Sequence, residues 1–398
     1  MEDDLLRLRG GWVLRPDGHT ASADVVVRNR RIEAVGPGLV REAEIDAAGL
    51  FVLPGLVELH THGMRAVSAE TGDLRAYAAV MAQVGTTTFY PTLFCAPELA
   101  VHSIRRHRRE TDDLRAVPQV PGFRLESPYL ALPSGGTDRD VAPIGTETTE
   151  MLLAAGAGPD NGGSLLKLWD VSPELDGAPE VIRRLSACGI VCSIAHTRAS
   201  IAQARAAVAA GARLVTHLFD VFFYAPERRD PDPDIYAPGL VDYLLLEDRL
   251  ACELIGDGTH VDPLLVEKAF RCKGAERLVF VTDSNLASGL PPGRYQMPGT
   301  WGDVCIRSPA DGVRLPDRGM ILAGSALSPL ESFRNVVRLF GKDLGTASRV
   351  CSANPARLMG LNKGEIAVGR DADLILLDAD LELAYTVVAG QIAWQRET

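Results

Sequence analysis

Apolar positions along this chain follow two kinds of pattern, and the change between them divides it. Residues 1–52 carry short stretches in which apolar and polar positions alternate, such as Ala23-Asp24-Val25-Val26-Val27 and Arg31-Ile32-Glu33-Ala34-Val35, separated by Gly, Pro and Asp turns. The segment from Gly364 to Trp394 has the same character, with Ala372-Asp373-Leu374-Ile375-Leu376-Leu377 and Thr386-Val387-Val388-Ala389-Gly390. Strand-rich ends flanking a different middle predict a small β-sandwich domain built from both chain termini, residues 1–52 together with 359–398.

Over residues 53–358 strand-length apolar runs alternate with helical stretches. Strand candidates end near His62, Thr92, Ser127, Trp169, Thr197, Phe219, Gly258 and Ser284, and the 3.6-residue period predicts helices over Leu74 to Val84, Ile201 to Ala210 and Val261 to Phe270. This α/β alternation predicts a (β/α)8 TIM barrel, whose chemistry sits at the C-terminal ends of the strands. A doubly wound open sheet would satisfy the same alternation, but no Gly-x-Gly-x-x-Gly or Walker motif opens a helix to support it.

Composition narrows the classes. A chain of 398 residues, 46% of them hydrophobic, can bury a large core. Its net charge of -11 counts against general affinity for nucleic acid or membrane surfaces, so neither is expected as a partner. Arg105, Arg106, His107, Arg108 and Arg109 form a basic cluster that reads as a solvated helix face, and Arg228-Arg229 sits in a Pro/Asp-rich loop. Seven scattered cysteines without a Cys-x-x-Cys read as reduced thiols. The acidic start Met1-Glu2-Asp3-Asp4 lacks the pattern of a secretory signal, and no apolar run is long enough to span a bilayer. A cytoplasmic location is expected.

The chemistry-bearing residues gather at the strand ends. Pro54-Gly55 announces a strand that ends in His60-Thr61-His62, and residues two apart on a strand face one side, so both imidazoles can converge on one metal ion. Alone, such a pair is explained as well by polar residues closing a strand. But His196, His217 and His260 also follow strand ends, so five of the eight histidines fall where a barrel places its chemistry. Glu126 closes the third strand as an anionic ligand for one metal or a bridge between two, and Asp283 closes the eighth on the opposite wall.

With these residues placed, the sequence resembles the amidohydrolase superfamily and, within it, the N-acetylglucosamine-6-phosphate deacetylase family. The resemblance rests on Leu53-Pro54-Gly55-Leu56-Val57-Glu58-Leu59-His60-Thr61-His62-Gly63, Leu125-Glu126-Ser127-Pro128, Val171-Ser172-Pro173-Glu174, Ala195-His196-Thr197, Thr216-His217-Leu218-Phe219, Asp257-Gly258-Thr259-His260, Val281-Thr282-Asp283 and Leu322-Ala323-Gly324-Ser325-Ala326-Leu327. It implies that Glu126, His196 and His217 bind one divalent metal, and that His60 and His62 hold a second, sharing Glu126, in members that use two. It further implies Asp283 as general base and acid, His260 as the group that orients or polarises the substrate carbonyl, and a homodimer. Zinc is the expected ion, although His and carboxylate ligands also accept iron, manganese or cobalt.

Departures from the family pattern fall around the substrate. Arg124-Leu125-Glu126-Ser127-Pro128 stands where the family reads His-Leu-Glu-Gly-Pro, and Ser134-Gly135-Gly136-Thr137 replaces Lys-Gly-Ala-His. Asp220-Val221 replaces an Asn-Ala that helps hold the sugar phosphate, and a carboxylate there repels phosphate. Arg228 or Arg229 occupies about the position of a phosphate-reaching family arginine. Lys167 lies in a strand-four run, the strand on which other branches of the superfamily carboxylate a lysine to bridge metals, but Glu126 already supplies an anionic ligand and Lys167 is not expected to serve as one. The expected activity is metal-dependent deacetylation of an N-acetylated amino sugar, either N-acetylglucosamine-6-phosphate or a relative whose phosphate is absent or replaced. The alternatives are hydrolysis of another C-N bond, as in a cyclic amide, N-acyl amino acid or amidine, and a barrel that serves only as a scaffold.

Overall fold

A computed structural model describes residues 5–133, 140–158, 163–222, 237–298 and 301–397. Its centre is a parallel sheet of eight strands in chain order: Leu56–Thr61, Thr86–Leu93, Phe123–Leu125, Leu166–Val171, Val191–Ile194, Leu214–Val215, Ala251–Ile255 and Leu278–Val281. The first and eighth strands meet through a parallel bridge from Thr61 to Ser284, with the Asp283 amide donating to His60 O at 3.0 Å. The barrel is thereby nearly closed. All eight strands end within a few residues of their expected positions, because each apolar run stops where the chain leaves the hydrophobic interior for the polar rim.

Local signals fix the helices between them. Leu74–Ala82 begins where the Asp73 side chain accepts from the Arg75 and Ala76 amides, and Ile201–Ala210 begins at a Ser200/Gln203 capping box. The helix expected from Val261 starts later, as Pro263–Lys273, because Asp262 caps it and Pro263 suits the first helical turn. Arg106 and Arg108 of the basic helix Pro97–Glu110 do more than face solvent: Arg106 donates to the Glu70, Thr71 and Gly72 carbonyls, and Arg108 pairs with Asp113.

Both termini join one mixed sheet with its own apolar core, including Leu8, Val25, Ile32, Val52, Leu374 and Val387. Its order is Gln391–Gln395, Leu383–Val388, Leu374–Leu377, Phe51–Pro54, Leu5–Leu14, Thr20–Arg28, Arg31–Gly36, with Ile45–Asp46 also on Leu5–Leu14. The chain crosses from this sheet to the barrel at Gly55, where a Cβ would lie 2.2 Å from Thr87 Oγ1. Only glycine allows that approach.

A third sheet was not foreseen. Gly293–Met297, Gly302–Ile306, Arg314–Leu315 and Ile321–Leu322 form an antiparallel insert after the eighth strand. Its apolar side, with Trp301, Val304 and Ile306, packs on Phe94, Leu130, Ala195 and Leu286 at the C-terminal rim. The insert therefore roofs the end of the barrel where the histidines lie.

Candidate metal centre

The structure brings His60, His62, Glu126, His196, His217 and Asp283 into one buried cluster. His60 Nε2 lies 3.1 Å from Glu126 Oε2 and 3.3 Å from Asp283 Oδ1, and His62 Nε2 lies 3.1 Å from each of these oxygens. Across the cluster His196 Nε2 is 3.0 Å and His217 Nε2 3.4 Å from Glu126 Oε1. His60, His62 and Asp283 offer three ligand atoms within metal-binding reach of one another, and His60, Glu126 and His217 offer a second, overlapping set. His60 thus belongs to both halves.

The tautomers show that this donor set suits a cation. His196 Nδ1 donates to Leu132 O at 2.8 Å and His217 Nδ1 to Asp220 O at 3.3 Å. A carbonyl oxygen can only accept, so each Nδ1 carries a proton, and Nε2 is the nitrogen of each ring that can offer a lone pair. Those two Nε2 atoms stand 3.2 Å apart, facing the same carboxylate. Lone pairs so arranged repel unless a metal ion or extra protons lie among them.

Protons are the competitors. Burial and the Arg124 charge oppose protonation of His60, yet Glu126 and Asp283 prevail and hold it up at about 9. Burial likewise opposes protonation of His62, but Asp283 and Glu126 raise it to about 10, and His217 stands at about 9 through Glu126. Burial would raise the carboxyls of Glu126 and Asp283, but His60 and its fellow imidazoles draw both below the usual carboxylate range. Metal ligands must be deprotonated. Zinc added at pH 7 is therefore expected to displace about one proton or more per ion, with affinity rising as pH climbs towards the raised histidine values. Titration calorimetry in two buffers of different ionisation enthalpy measures this; a buffer-independent heat at pH 7 would count against it.

The backbone is held in unusual conformations here. His196, His217 and Asp283 have φ of 46°, 26° and 49°, left-handed values that cost a non-glycine residue roughly 1–3 kcal/mol each. At Asp283 the strain is held by the amide's bond to His60 O and by Ser325 N donating back to Asp283 O at 2.8 Å. Strain of this kind, supported on both sides, is a feature of functional sites.

His260 borders the cavity, and its Nδ1 lies 2.6 Å from Asp257 Oδ2; burial opposes a charge on the ring, but Asp257 raises its pKa. Asp220 and Val221 also line the cavity, with the Asp220 carboxylate 3.9 Å from His217 Nδ1. Arg228, Arg229 and Ser134-Gly135-Gly136-Thr137 lie outside the described residues. Lys167 is the extra residue of a β-bulge between the Phe123–Leu166 and Arg124–Leu168 pairs. That places it near the start of the Leu166–Val171 strand, three residues and roughly 10 Å before Asp170, away from the strand ends that carry the clustered ligands.

Sequence reasoning missed the walls. Trp301 sits 5.2 Å from the His62 ring and Phe94 6.0 Å from the His196 ring, giving an aromatic face to a cavity of about 50 Å³ that Leu322, Ala323 and Gly324 complete. A larger concavity of about 580 Å³ lies at the other end of the barrel, lined by Arg213, Arg249, Arg277 and Arg357 among others. Its arginines are engaged by Glu247, Asp248, Asn354 and backbone carbonyls, and none of the clustered histidines is near it.

Comparison with known proteins agrees with the geometry. The amidohydrolase family model matches residues 273–393. The chain is 28% identical to N-acetylglucosamine-6-phosphate deacetylase of Lysinibacillus sphaericus, covering 98% of both chains, and 29% identical to the human enzyme of that name, covering 98% and 94%. A variant of the Mycobacterium smegmatis N-acetyl-D-glucosamine-6-phosphate deacetylase, solved in complex with N-acetyl-D-glucosamine-6-phosphate, superposes with a TM-score of 0.85 at 28% identity, covering 98% and 99%. The chain is similar over nearly its full length, at about 28% identity, to N-acetylglucosamine-6-phosphate deacetylases, and its C-terminal part matches the amidohydrolase family model.

Proposed function

We propose that this protein is a metal-dependent hydrolase that removes the acetyl group from an N-acetylated amino sugar. The observation that carries the reading is the convergence of four imidazole Nε2 atoms with the carboxylates of Glu126 and Asp283 at the barrel rim. His60, His62, Glu126, His196 and His217 would hold one or two divalent ions, zinc before iron, manganese or cobalt. Such an ion lowers the pKa of a water from ~15.7 towards ~7 and polarises an amide oxygen. Asp283, ionised beside His60 and His62, takes the proton of the attacking water and delivers it to the departing amine. His260, oriented by Asp257, donates to the carbonyl oxygen as negative charge develops there. Acetate and a free amine leave. The cavity under Trp301 and Phe94 would take the acetamido group, with the sugar ring near Asp220 in its wall. The seven free cysteines suit the cytoplasm.

The phosphate is the part of the substrate that the described cavity is least suited to hold. Among the described residues lining the cavity there is no Lys or Arg, whereas the Asp220 carboxylate stands in the wall. A like charge about 8 Å from a phosphate costs roughly 2 kcal/mol at an effective dielectric of ~20. The favoured substrate is therefore unphosphorylated or modified at that position. Turnover of N-acetylglucosamine comparable to that of its 6-phosphate is the expected result of a hydrolysis assay, and strict dependence on the phosphate would refute this reading. Asp220→Asn is expected to shift the ratio of kcat/KM values towards the phosphorylated sugar by roughly tenfold or more.

A further inference from the structure

Directly beneath the clustered histidines lies a second polar layer that the proposed chemistry leaves unused. Arg124, fully buried on the third strand, spans the barrel interior. Its Nη1 donates to Glu253 Oε1 at 2.7 Å and Leu59 O at 3.1 Å, its Nη2 to Glu253 Oε2 at 3.1 Å and Thr216 Oγ1 at 2.9 Å, and its Nε to Asp170 Oδ2 at 3.2 Å. Glu253, from the seventh strand and equally buried, keeps one oxygen turned upwards: Oε2 lies 3.4 Å from the His217 amide and 3.6 Å from His60 Nδ1. That Nδ1 is buried and has no hydrogen-bond partner. If His60 presents a lone pair to the centre from Nε2, its one proton is on Nδ1, and leaving that donor buried without an acceptor is unfavourable. A shift of somewhat under ~1 Å turns the contact with Glu253 into a charge-assisted hydrogen bond.

We propose that Glu253 is a positioning residue: it accepts the Nδ1 proton of His60, fixes the tautomer that aims Nε2 at the metal, and is itself held in place by Arg124. The inference rests on the metal-binding reading of His60. It assigns to this layer the outer-sphere task that carboxylates perform for metal-ligating histidines, whose loss typically weakens metal binding 10–100-fold.

The test is equilibrium dialysis of zinc and cobalt(II) against the purified full-length chain and its variants. In Glu253→Gln the Arg124–Asp170 pair remains, so no buried charge is left without a partner, while the amide NH2 replaces the acceptor facing His60. Glu253→Asp keeps the charge on Arg124 but withdraws the carboxylate from His60, and serves if the glutamine variant does not fold. Either folded variant is expected to bind one ion 10–100-fold more weakly, with its circular dichroism unchanged. In a His60→Ala background the same substitution is expected to add less than about twofold, because the effect runs through His60. Wild-type affinity in both variants would overturn the proposal, as would an undiminished loss in the His60→Ala background. A wild-type protein that retains no zinc or cobalt would instead overturn the metal reading itself, and this proposal with it.

Discussion

Asp283→Asn is expected to lower kcat/KM for the N-acetyl sugar by about 10²–10⁴-fold while bound metal stays within about twofold of wild type. The substitution is nearly isosteric. The backbone that carries it is pinned on both sides by hydrogen bonds to His60 O and from Ser325 N, so the amide oxygen should occupy the place of Oδ1 near His60 and His62. What is lost is the ability to take a proton. Burial alone would favour the neutral acid, but the neighbouring imidazoles hold the carboxyl low, and a resting carboxylate is the form a general base requires. The reaction then needs the same group as an acid towards the departing amine, which an amide cannot supply. Hydrolysis assays beside metal analysis of the same preparation separate this from ligand loss. A decline of less than about tenfold with metal retained would remove Asp283 from the proton-carrying role.

The barrel was legible because each of its strands is an apolar run closed by a polar residue, and the closing residues are the ones the fold gathers. His60 and His62, weak as an isolated pair, gain their meaning from Glu126, His196 and His217 on other strands, which only the order of the βα units relates to them. The insert after the eighth strand escaped notice for a physical reason. Its strands are short, two of them only two residues long, and Gly, Pro and Asp interrupt any alternation. Trp301 therefore gave no sign that it would stand over His62.

The layer below the centre left a signal that was read only as a departure from a family motif. Arg124 in Phe123-Arg124-Leu125, Asp170 in Leu168-Trp169-Asp170-Val171 and Glu253 in Ala251-Cys252-Glu253-Leu254-Ile255 are charged residues inside apolar strands. Buried charges are paired, so one cation and two anions in three separate runs imply that those strands face a common interior. Which carboxylate meets which end of the guanidinium, and how close the pair comes to His60, depends on strand stagger, which no single run encodes.

Arg124→Met is accordingly expected to cost about 3–5 kcal/mol of stability at neutral pH, the usual consequence of removing one partner from a buried ion pair. Methionine fills much of the volume, so the loss is electrostatic: Asp170 and Glu253 remain fully buried with no cation between them. The pH dependence identifies the cause. In the wild type burial raises Asp170 to about 6 despite Arg124, while Arg124 outweighs burial at Glu253 and holds it at about 2. Without the guanidinium both folded-state values rise above the unfolded ones, near ~4 for Asp and Glu. A group raised in this way favours the folded state below the unfolded pKa and loses that contribution as pH climbs through the folded pKa. The depressed Glu253 of the wild type has the opposite sign and adds stability only above about 4. Above about pH 5 the Glu253 contribution of the wild type is complete and constant, so the gap between wild type and variant widens from pH 5 to pH 8 through the raised carboxyls of the variant, most clearly past the value of about 6 at which the loss from wild-type Asp170 is spent. Urea-unfolding midpoints at several pH values measure it. A gap that stays constant over this range would assign the loss to packing and deny Arg124 its electrostatic role, whereas partial recovery in the uncharged triple variant Arg124→Met/Asp170→Asn/Glu253→Gln would confirm that the carboxylates are what the guanidinium holds.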